Sequence, residues 1–265
     1  MKALQRVRRA LRAARNPAPV VSESRGVRAL HIGGDAVQSA MRLDDPHALA
    51  LDYTRCMMAF LLFHPEPRQA LMIGLGGGSL AKFFHRRLRA LRTRIVEIDA
   101  RVIAMARAQF HLPADDARLR VDVGCGAEAL SPECCDLLVC DGFVDESLPG
   151  KITSQAFFDA AWLALVAPGV LVMNLMDDAP DFDRILQRLE RAFGGAVLCM
   201  PALTDPNVVA FALKGGAGRI SWQALRERAA DLEARFGLPF ARYVNALRKM
   251  NRCSAEALTV VQEPG

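Results

Sequence analysis

The sequence predicts an α/β fold with a doubly wound, mostly parallel sheet. From Ala70 onward, apolar stretches of strand length alternate with segments of helical periodicity. Some of these strands are continuously apolar, as at 137–140, which is typical of parallel strands covered by helices on both faces. The first strand runs directly into a glycine cluster, and nucleotides bind at such turns in open α/β sheets. These observations together predict a nucleotide-type binding fold.

The individual elements follow from the same periodicity. The predicted strands are 70–75, 94–98, 119–123, 136–141 and 169–175, and the helices between them are 79–91, 100–109, a short one near 127–130, and 154–166. Later in the chain, the pattern predicts a helix at 181–193, strands at 196–201 and 207–214, and helices near 221–235 and 239–250. The two late strands are close together in the chain, so we expect an antiparallel final pair.

The basic charge of the chain is concentrated in its first 16 residues. The formal net charge is +5, and this segment carries six Lys and Arg residues and no acid, which leaves about −1 for the rest. This distribution argues against a nucleic-acid-binding face on the folded part. We expect neither a secretory signal, because the basic start continues into Pro17-Ala18-Pro19, nor a membrane span, because no apolar run is long enough.

The seven cysteines lack the spacing of a metal site. Cys134 and Cys135 are adjacent, and no Cys-x-x-Cys pair occurs. We therefore expect reduced thiols in a cytoplasmic protein that has no metal centre.

The segment from the glycine cluster to Glu97 indicates a nucleoside-binding site. Gly74-Leu75-Gly76-Gly77-Gly78-Ser79 follows the first strand, and Glu97 lies near the end of the next one, at the spacing of an acid that meets a ribose. A dinucleotide dehydrogenase would have a third glycine where Ser79 stands. Most S-adenosylmethionine methyltransferases have a carboxylate where Met72 stands. The loop alone leaves the cofactor class open.

An ordered set of motifs resembles the spermidine synthase (polyamine aminopropyltransferase) family, over roughly residues 25–215. The motifs are Gln38-Ser39, Asp52-Tyr53, the glycine loop, Val96-Glu97-Ile98-Asp99, Gly124-Cys125-Gly126, Cys140-Asp141-Gly142-Phe143 and Ala167-Pro168-Gly169-Val170-Leu171. The chain is most similar to short bacterial members with a reduced N-terminal β-domain. The resemblance implies a class I methyltransferase-like, seven-stranded sheet, with decarboxylated S-adenosylmethionine or S-adenosylmethionine as co-substrate, an amine as acceptor, no metal, and a homodimer.

The resemblance also implies roles for individual residues. Asp141 matches the catalytic aspartate, and Tyr53 matches a tyrosine that positions the attacking amine. Gln38 is expected to line the amine pocket, and Asp145 to replace a second acid that the family has one position earlier. The expected cofactor-binding residues are Gly74, Gly76, Gly78, Glu97, Cys125 and Gly126.

Three positions depart from the family pattern and keep other functions open. The family usually has acids where Gly77, Cys125 and Arg55 stand, so we expect weaker binding of two cationic substrates. One alternative is a methyltransferase, in which Arg55 would pair with the carboxylate of S-adenosylmethionine. Another is a non-catalytic relative that binds a nucleoside or a polyamine. A nicotinamide enzyme is a more distant alternative.

The chain is predicted to have three parts. Residues 1–16 form the basic tail, 17–55 form a small β extension and the start of a linker helix, and 56–265 form a Rossmann-like nucleoside-binding domain with C-terminal helices. Short alternating stretches around Gly26 and Gly33-Gly34 predict the strands of the extension, and a helix is predicted at 46–63.

Overall fold

A small antiparallel sheet comes first in the computed structural model, which describes residues 18–34, 36–142, 150–216 and 218–260. Its strands are β1 (Val20–Ser24), β2 (Val27–His31) and β3 (Val37–Arg42), in that order. This sheet lies within the predicted β extension, whereas the basic tail at 1–16 lies outside the described residues.

The central sheet has seven strands, and four of its six strand pairings are parallel. Its strand order is β6-β5-β4-β7-β8-β10-β9, and β10 runs antiparallel to both β8 and β9. This arrangement confirms the doubly wound sheet and the antiparallel final pair. The chain order reverses at β4, which creates a crevice at the carboxyl ends of β4 and its neighbours. The strands are β4 (Gln69–Ile73), β5 (Arg92–Glu97), β6 (Leu119–Val123), β7 (Cys135–Cys140), β8 (Leu165–Met176), β9 (Val197–Pro201) and β10 (Asn207–Lys214).

Helices cover the central sheet on both faces. Successive residues of β4 pack into different hydrophobic clusters, since Ala70 and Met72 face one side and Leu71 and Ile73 face the other. No helix in the described residues is long and apolar enough to cross a membrane. The helices are α1 (Asp52–Met57), α2 (Ser79–Arg87), α3 (Ala100–Gln109), α4 (Gln155–Ala164), α5 (Phe182–Ala192), α6 (Trp222–Phe236) and α7 (Phe240–Leu247), with 3-10 turns at Met58–Leu62, Gly126–Glu128 and Gly150–Thr153.

Several predicted helices are shorter in the structure, among them those at 79–91 and 239–250, and two others have a local cause. The helix predicted at 46–63 begins only at Asp52 and continues as a 3-10 turn, because the Asp45 side chain accepts a hydrogen bond from the amide of His47 and forms a turn. The helix predicted at 154–166 ends at Ala164, and β8 starts at once. Pro168 disfavours helix in the residues before it. A ribbon of β11 (Arg219–Ser221) and β12 (Ala257–Thr259) was not predicted.

Candidate active site

A cavity of about 680 Å³ opens at the carboxyl ends of the parallel strands, next to the point where the strand order reverses. Asp145 lies outside the described residues, and Gly78 does not line the cavity. The other residues predicted for the site all line it, so the structure brings together Gln38, Tyr53, Gly74, Gly76, Glu97, Cys125, Gly126 and Asp141.

The charged groups around the cavity are mainly acidic. Its described lining includes four carboxylates and one basic residue, Lys151. Lys151 is paired with Glu128, and Asp99 is paired with Arg101. The remaining carboxylates have no cationic side chain within 4.0 Å in the part of the chain that the structure describes; these are Glu97, Asp141 and Asp205. The cavity is therefore suited to cationic ligands.

Gly74 and Gly126 let the backbone segments around the cavity approach each other closely. Gly74 has φ +92°, and a Cβ there would lie 2.3 Å from the carbonyl oxygen of Asp141. A Cβ on Gly126 would lie 2.2 Å from the side chain of Ile73. Both glycines are thus required by protein packing as well as by the cavity. Gly78 is the N-cap of α2, and a Cβ there would lie 2.8 Å from the side chain of Leu112.

Glu97 is fixed at the end of β5 by two backbone amides. Its side chain accepts one hydrogen bond from the amide of Leu75 over 2.9 Å and another from the amide of Asp99 over 3.0 Å. Burial raises the pKa of Glu97, and these amide donors partly oppose the rise. Each carboxylate oxygen can accept more than one hydrogen bond, so Glu97 holds the glycine loop in place and can still bind a hydroxyl.

Asp141 follows β7 directly and is held between two side chains. Its Oδ1 accepts a hydrogen bond from Asn174 Nδ2 over 3.0 Å, and its Oδ2 accepts one from the hydroxyl of Tyr53 over 3.3 Å. Burial raises the pKa of Asp141 to about 6, although both hydrogen bonds lower it. A carboxylate with this pKa can exchange a proton near neutral pH.

Tyr53 of α1 makes hydrogen bonds at the cavity through both its side-chain hydroxyl and its backbone amide. Its hydroxyl lies 3.3 Å from the carbonyl oxygen of Gln38 as well as from Asp141, so the two acceptors share one proton. Its backbone amide donates to Asp205 over 3.0 Å. Burial and the nearby Asp141 charge raise the pKa of Tyr53 well above 10, so the phenol stays protonated.

Sequence reasoning missed several polar residues of this site, among them Asn174, Asn207 and Asp205. Asn174 is 2% exposed and is the one amide side chain in the apolar strand β8, and this pattern was a usable signal. Asn174 in turn accepts a hydrogen bond from Asn207 over 2.9 Å. Asp205 lies in the connection between β9 and β10, where no motif distinguishes it in the sequence.

The methyltransferase alternative requires Arg55 beside the co-substrate, and the structure does not place it at the cavity. Arg55 does not line the cavity, and its guanidinium lies 3.7 Å from the buried carboxylate of Asp52. Its neighbour Thr54 does line the cavity, but the Thr54 hydroxyl donates to the carbonyl oxygen of Leu51. The geometry of α1 therefore directs the arginine away from the cavity.

Two solved structures share the fold over most of the chain. A spermidine synthase in complex with the transition state analogue AdoDATO has a TM-score of 0.63 at 20% identity, covering 87% of this chain and 85% of that chain. Human methyltransferase-like protein 13 in complex with SAH also has a TM-score of 0.63, at 23% identity, covering 78% of this chain and 96% of that chain. Both support the class I methyltransferase-like fold.

Sequence comparison places the chain more specifically, although no protein-family model matches it. A polyamine aminopropyltransferase from Chromobacterium violaceum is 37% identical over 258 residues, which are 97% of this chain and 98% of the relative. One from Neisseria meningitidis serogroup A is 35% identical over 248 residues, which are 92% and 94% of the two chains. The chain therefore belongs to the polyamine aminopropyltransferase, or spermidine synthase, family.

Proposed function

We propose that the chain transfers an aminopropyl group from decarboxylated S-adenosylmethionine to an amine, with Asp141 as the proton acceptor. The observation that carries this proposal is the position of Asp141, which lies in the same acidic cavity as Glu97 and between two hydrogen-bond donors. Both substrates are cationic, and a cavity with several unpaired carboxylates offsets their charge.

The nucleoside part of the co-substrate would bind at the ends of β4 and β5. Glu97 would accept hydrogen bonds from the two ribose hydroxyls, which are charge-assisted and contribute about 1.5–3 kcal/mol each. Beside it, Ile98 is 67% exposed and lines the cavity together with Val102 and Cys125. An exposed apolar side chain in a cavity favours a flat base, so adenine would lie against Ile98.

The transfer itself needs one bond formed and one broken. The amine nitrogen attacks the carbon of the aminopropyl group that is bonded to the sulfonium, the carbon–sulfur bond breaks, and its electron pair returns to sulfur. Methylthioadenosine leaves as a neutral thioether. The new ammonium passes its proton to Asp141, which the Tyr53 hydroxyl and the Asn174 amide hold in position. Proximity supplies much of the rate, because the sulfonium is already electrophilic.

The charges around the cavity favour the decarboxylated co-substrate. S-adenosylmethionine carries an additional carboxylate, which needs a cation nearby. The one basic residue of the described lining is Lys151, which is exposed and paired with Glu128. Arg55, which the methyltransferase alternative requires beside this carboxylate, does not line the cavity.

Calorimetric binding and a transfer assay would test this function. We expect methylthioadenosine and decarboxylated S-adenosylmethionine to bind more tightly than S-adenosylmethionine. Tighter binding of S-adenosylmethionine would instead indicate methyl transfer. We expect Asp141→Asn to abolish aminopropyl transfer, whereas Asp231→Asn, on the exposed face of α6, should leave it intact. Full activity of Asp141→Asn would refute the assigned role.

The proposal also covers the cellular location and the oligomeric state of the enzyme. All seven cysteines are free thiols, which supports a location in the reducing cytoplasm. The homodimer is proposed from the family resemblance, and sedimentation analysis of the purified protein would test it.

A further inference from the structure

Positive charge collects at the end of α2 that lies away from the active-site cavity. Residues 82–94 contain five arginines, one lysine and no acid, although the chain after its first 16 residues has a formal net charge of about −1. α2 begins at Ser79, which lines the cavity, and ends at Arg87 after nine residues, or roughly 13 Å along the helix axis. The basic region is therefore separate from the site described above.

Four arginines line a surface hollow in this region. The hollow has a volume of about 560 Å³, and its described lining consists of Arg86, Arg87, Arg89, Ala90 and Arg235. All four arginines are exposed, and none is within 4.0 Å of a carboxylate in the part of the chain that the structure describes. This arginine hollow shares no lining residue with the active-site cavity.

The ring of Phe236 holds two of these guanidinium groups in place. Those of Arg87 and Arg235 lie 5.8 Å and 5.0 Å from the centre of this ring, and that of Arg87 also lies 5.8 Å from the ring centre of Phe83. Arg87 further donates a hydrogen bond to the carbonyl oxygen of Arg235 over 2.6 Å. These contacts restrict the two side chains before a ligand arrives, so less conformational entropy is lost when an anion binds.

The carbonyl ends of two helices offset only part of this positive charge. α2 ends at Arg87 and α6 ends at Phe236, and the C-terminus of a helix carries about half a negative elementary charge. Two such ends offset roughly one of the four positive charges. The remaining charges repel one another, because no ion pair within the described residues compensates them. A bound anion would relieve this repulsion.

The number and geometry of the donors favour a chain of phosphate groups. A guanidinium group binds a phosphate through two parallel N–H donors. A single phosphate carries a charge of only about −1.5 to −2, which leaves part of the charge of the hollow uncompensated, whereas several linked phosphates compensate it.

The aromatic residues of the arginine hollow argue against single-stranded nucleic acid as the ligand. Proteins that bind single strands stack the bases on exposed aromatic rings. Phe83 and Phe236 are each only 4% exposed, and arginines lie against both rings. The volume of the hollow is in the range of small-molecule sites. A small ligand with several phosphates therefore fits better than a polymer.

We infer that the arginine hollow is a second binding site, which takes a small ligand with a triphosphate chain. The recognised chemistry is shared by free inorganic triphosphate and by a nucleoside triphosphate. The inference does not depend on aminopropyl transfer, because the arginine hollow and the active-site cavity have no lining residue in common.

The test is a calorimetric titration of inorganic triphosphate, at low salt, into the wild type and the double variant Arg86→Gln/Arg89→Gln. Both substituted side chains are exposed and line the hollow, whereas Arg87 and Arg235 also contact Phe236. The double variant should therefore keep the wild-type melting temperature. We expect it to bind triphosphate about ten- to a hundredfold more weakly than the wild type does.

A matched control separates the arginine hollow from the overall charge of the protein. Arg191→Gln/Arg226→Gln removes two exposed arginines, on α5 and α6, that do not line the hollow. This control loses the same net charge and should bind triphosphate as the wild type does. Equal losses in the two double variants would show that net charge alone attracts the anion, and the inference would be wrong.

Three further results would overturn the inference. The first is the absence of triphosphate binding to the wild type at low salt, and the second is equal affinity of the wild type and Arg86→Gln/Arg89→Gln. In the third, a single-stranded oligouridylate binds the wild type more tightly than triphosphate and loses this affinity in the variant, which would assign the hollow to nucleic acid. Orthophosphate should bind far more weakly than triphosphate, and equal affinities would indicate an adventitious ion only.

Uridine triphosphate distinguishes the two sources of the phosphate chain. The affinity lost on changing Arg86 and Arg89 to glutamine reports binding at the arginine hollow, whichever ligand is titrated. If uridine triphosphate and inorganic triphosphate show the same affinity and the same loss, the hollow recognises the phosphate chain alone. A higher affinity for uridine triphosphate with the same loss would show that the nucleoside adds contacts of its own. Both results support a triphosphate site.

Discussion

The hydroxyl of Tyr53 donates to Oδ2 of Asp141, joining two residues that are 88 positions apart in the chain. Tyr53 lies in a short helix before the central sheet, and Asp141 follows its fourth strand in chain order. The hydrogen bond stabilises the ionised carboxylate and so opposes the effect of burial on its pKa. With burial and the Asn174 hydrogen bond, the tyrosine therefore helps to set the pH at which Asp141 can accept a proton, and it orients the carboxylate.

Removing this hydroxyl should change the pH dependence of transfer. In the wild type, activity should fall as the pH drops through about 6, because Asp141 must be ionised to accept a proton. In Tyr53→Phe, Asp141 loses a hydrogen-bond donor that stabilises its ionised form, so its pKa rises. The midpoint of the pH–rate profile should therefore move to higher pH by about one unit or more. We expect kcat/KM at pH 7 to fall roughly tenfold. Rate profiles from pH 5 to 9 would check this, and an unchanged midpoint would show that the hydroxyl does not act on Asp141.

The strand ends are the part of the site that the sequence could predict. Glu97 and Asp141 each end an apolar run, and parallel strands bring their carboxyl ends to one edge of a sheet. Asn174 could also have been predicted, since an amide inside a buried strand needs a hydrogen-bond partner. The contact of Asp205 with Tyr53 could not have been predicted, because it spans 152 residues and depends on how an irregular connection folds back.

The errors in the sequence predictions have local causes. Apolar spacing alone extended the helix at 46–63, whereas the Asp45 side chain forms a competing turn with the amide of His47. The methyltransferase alternative required Arg55 near the co-substrate. In the structure, Arg55 lies near Asp52, on a different side of the short helix from the cavity. Neighbours in sequence point to different sides of a helix.

Glu97→Gln should weaken binding of ribose-containing ligands. The glutamine keeps one oxygen, so either the Leu75 or the Asp99 amide loses its acceptor, and the charge facing the ribose is lost. We expect methylthioadenosine to bind about ten- to a hundredfold more weakly. Adenine, which lacks the ribose, should lose much less affinity. Calorimetry with both ligands would test the assignment, and equal losses would indicate a disordered glycine loop in place of a lost ribose contact.

Cys125→Asp should increase affinity for adenine nucleosides. Cys125 lines the cavity and directly precedes the 3-10 turn Gly126–Glu128, with an extended backbone that suits an aspartate as N-cap. The resemblance implies that family members have an aspartate here, which accepts from the amino group of adenine. One such hydrogen bond should tighten methylthioadenosine binding about tenfold. The inosine analogue lacks this amino group and serves as the control ligand. A gain of the same size for both analogues would show that the aspartate does not contact the base.

A buried lysine of α2 should make stability depend on pH. Lys82 on α2 is 1% exposed, and its Nζ donates to the carbonyl oxygen of Phe110 over 2.7 Å. Burial lowers the pKa of Lys82 to about 8 from 10.5. Between these two pH values the unfolded chain binds more protons at this residue than the folded chain does. The contribution of Lys82 to the free energy of unfolding should therefore rise with pH, by up to about 3 kcal/mol.

Comparison with Lys82→Met isolates this contribution from that of the buried cysteines. Burial raises the pKa values of Cys56, Cys140 and Cys199, so these thiols make the folded state less stable as the pH rises, in wild type and variant alike. Urea unfolding gives the free energy of unfolding at pH 7 and at pH 10. Between these pH values, this free energy should rise more, or fall less, in the wild type than in Lys82→Met. The exposed control Lys249→Met should behave like the wild type. Identical pH responses in wild type and Lys82→Met would mean that Lys82 keeps its proton in the folded protein, held there by the carbonyl of Phe110.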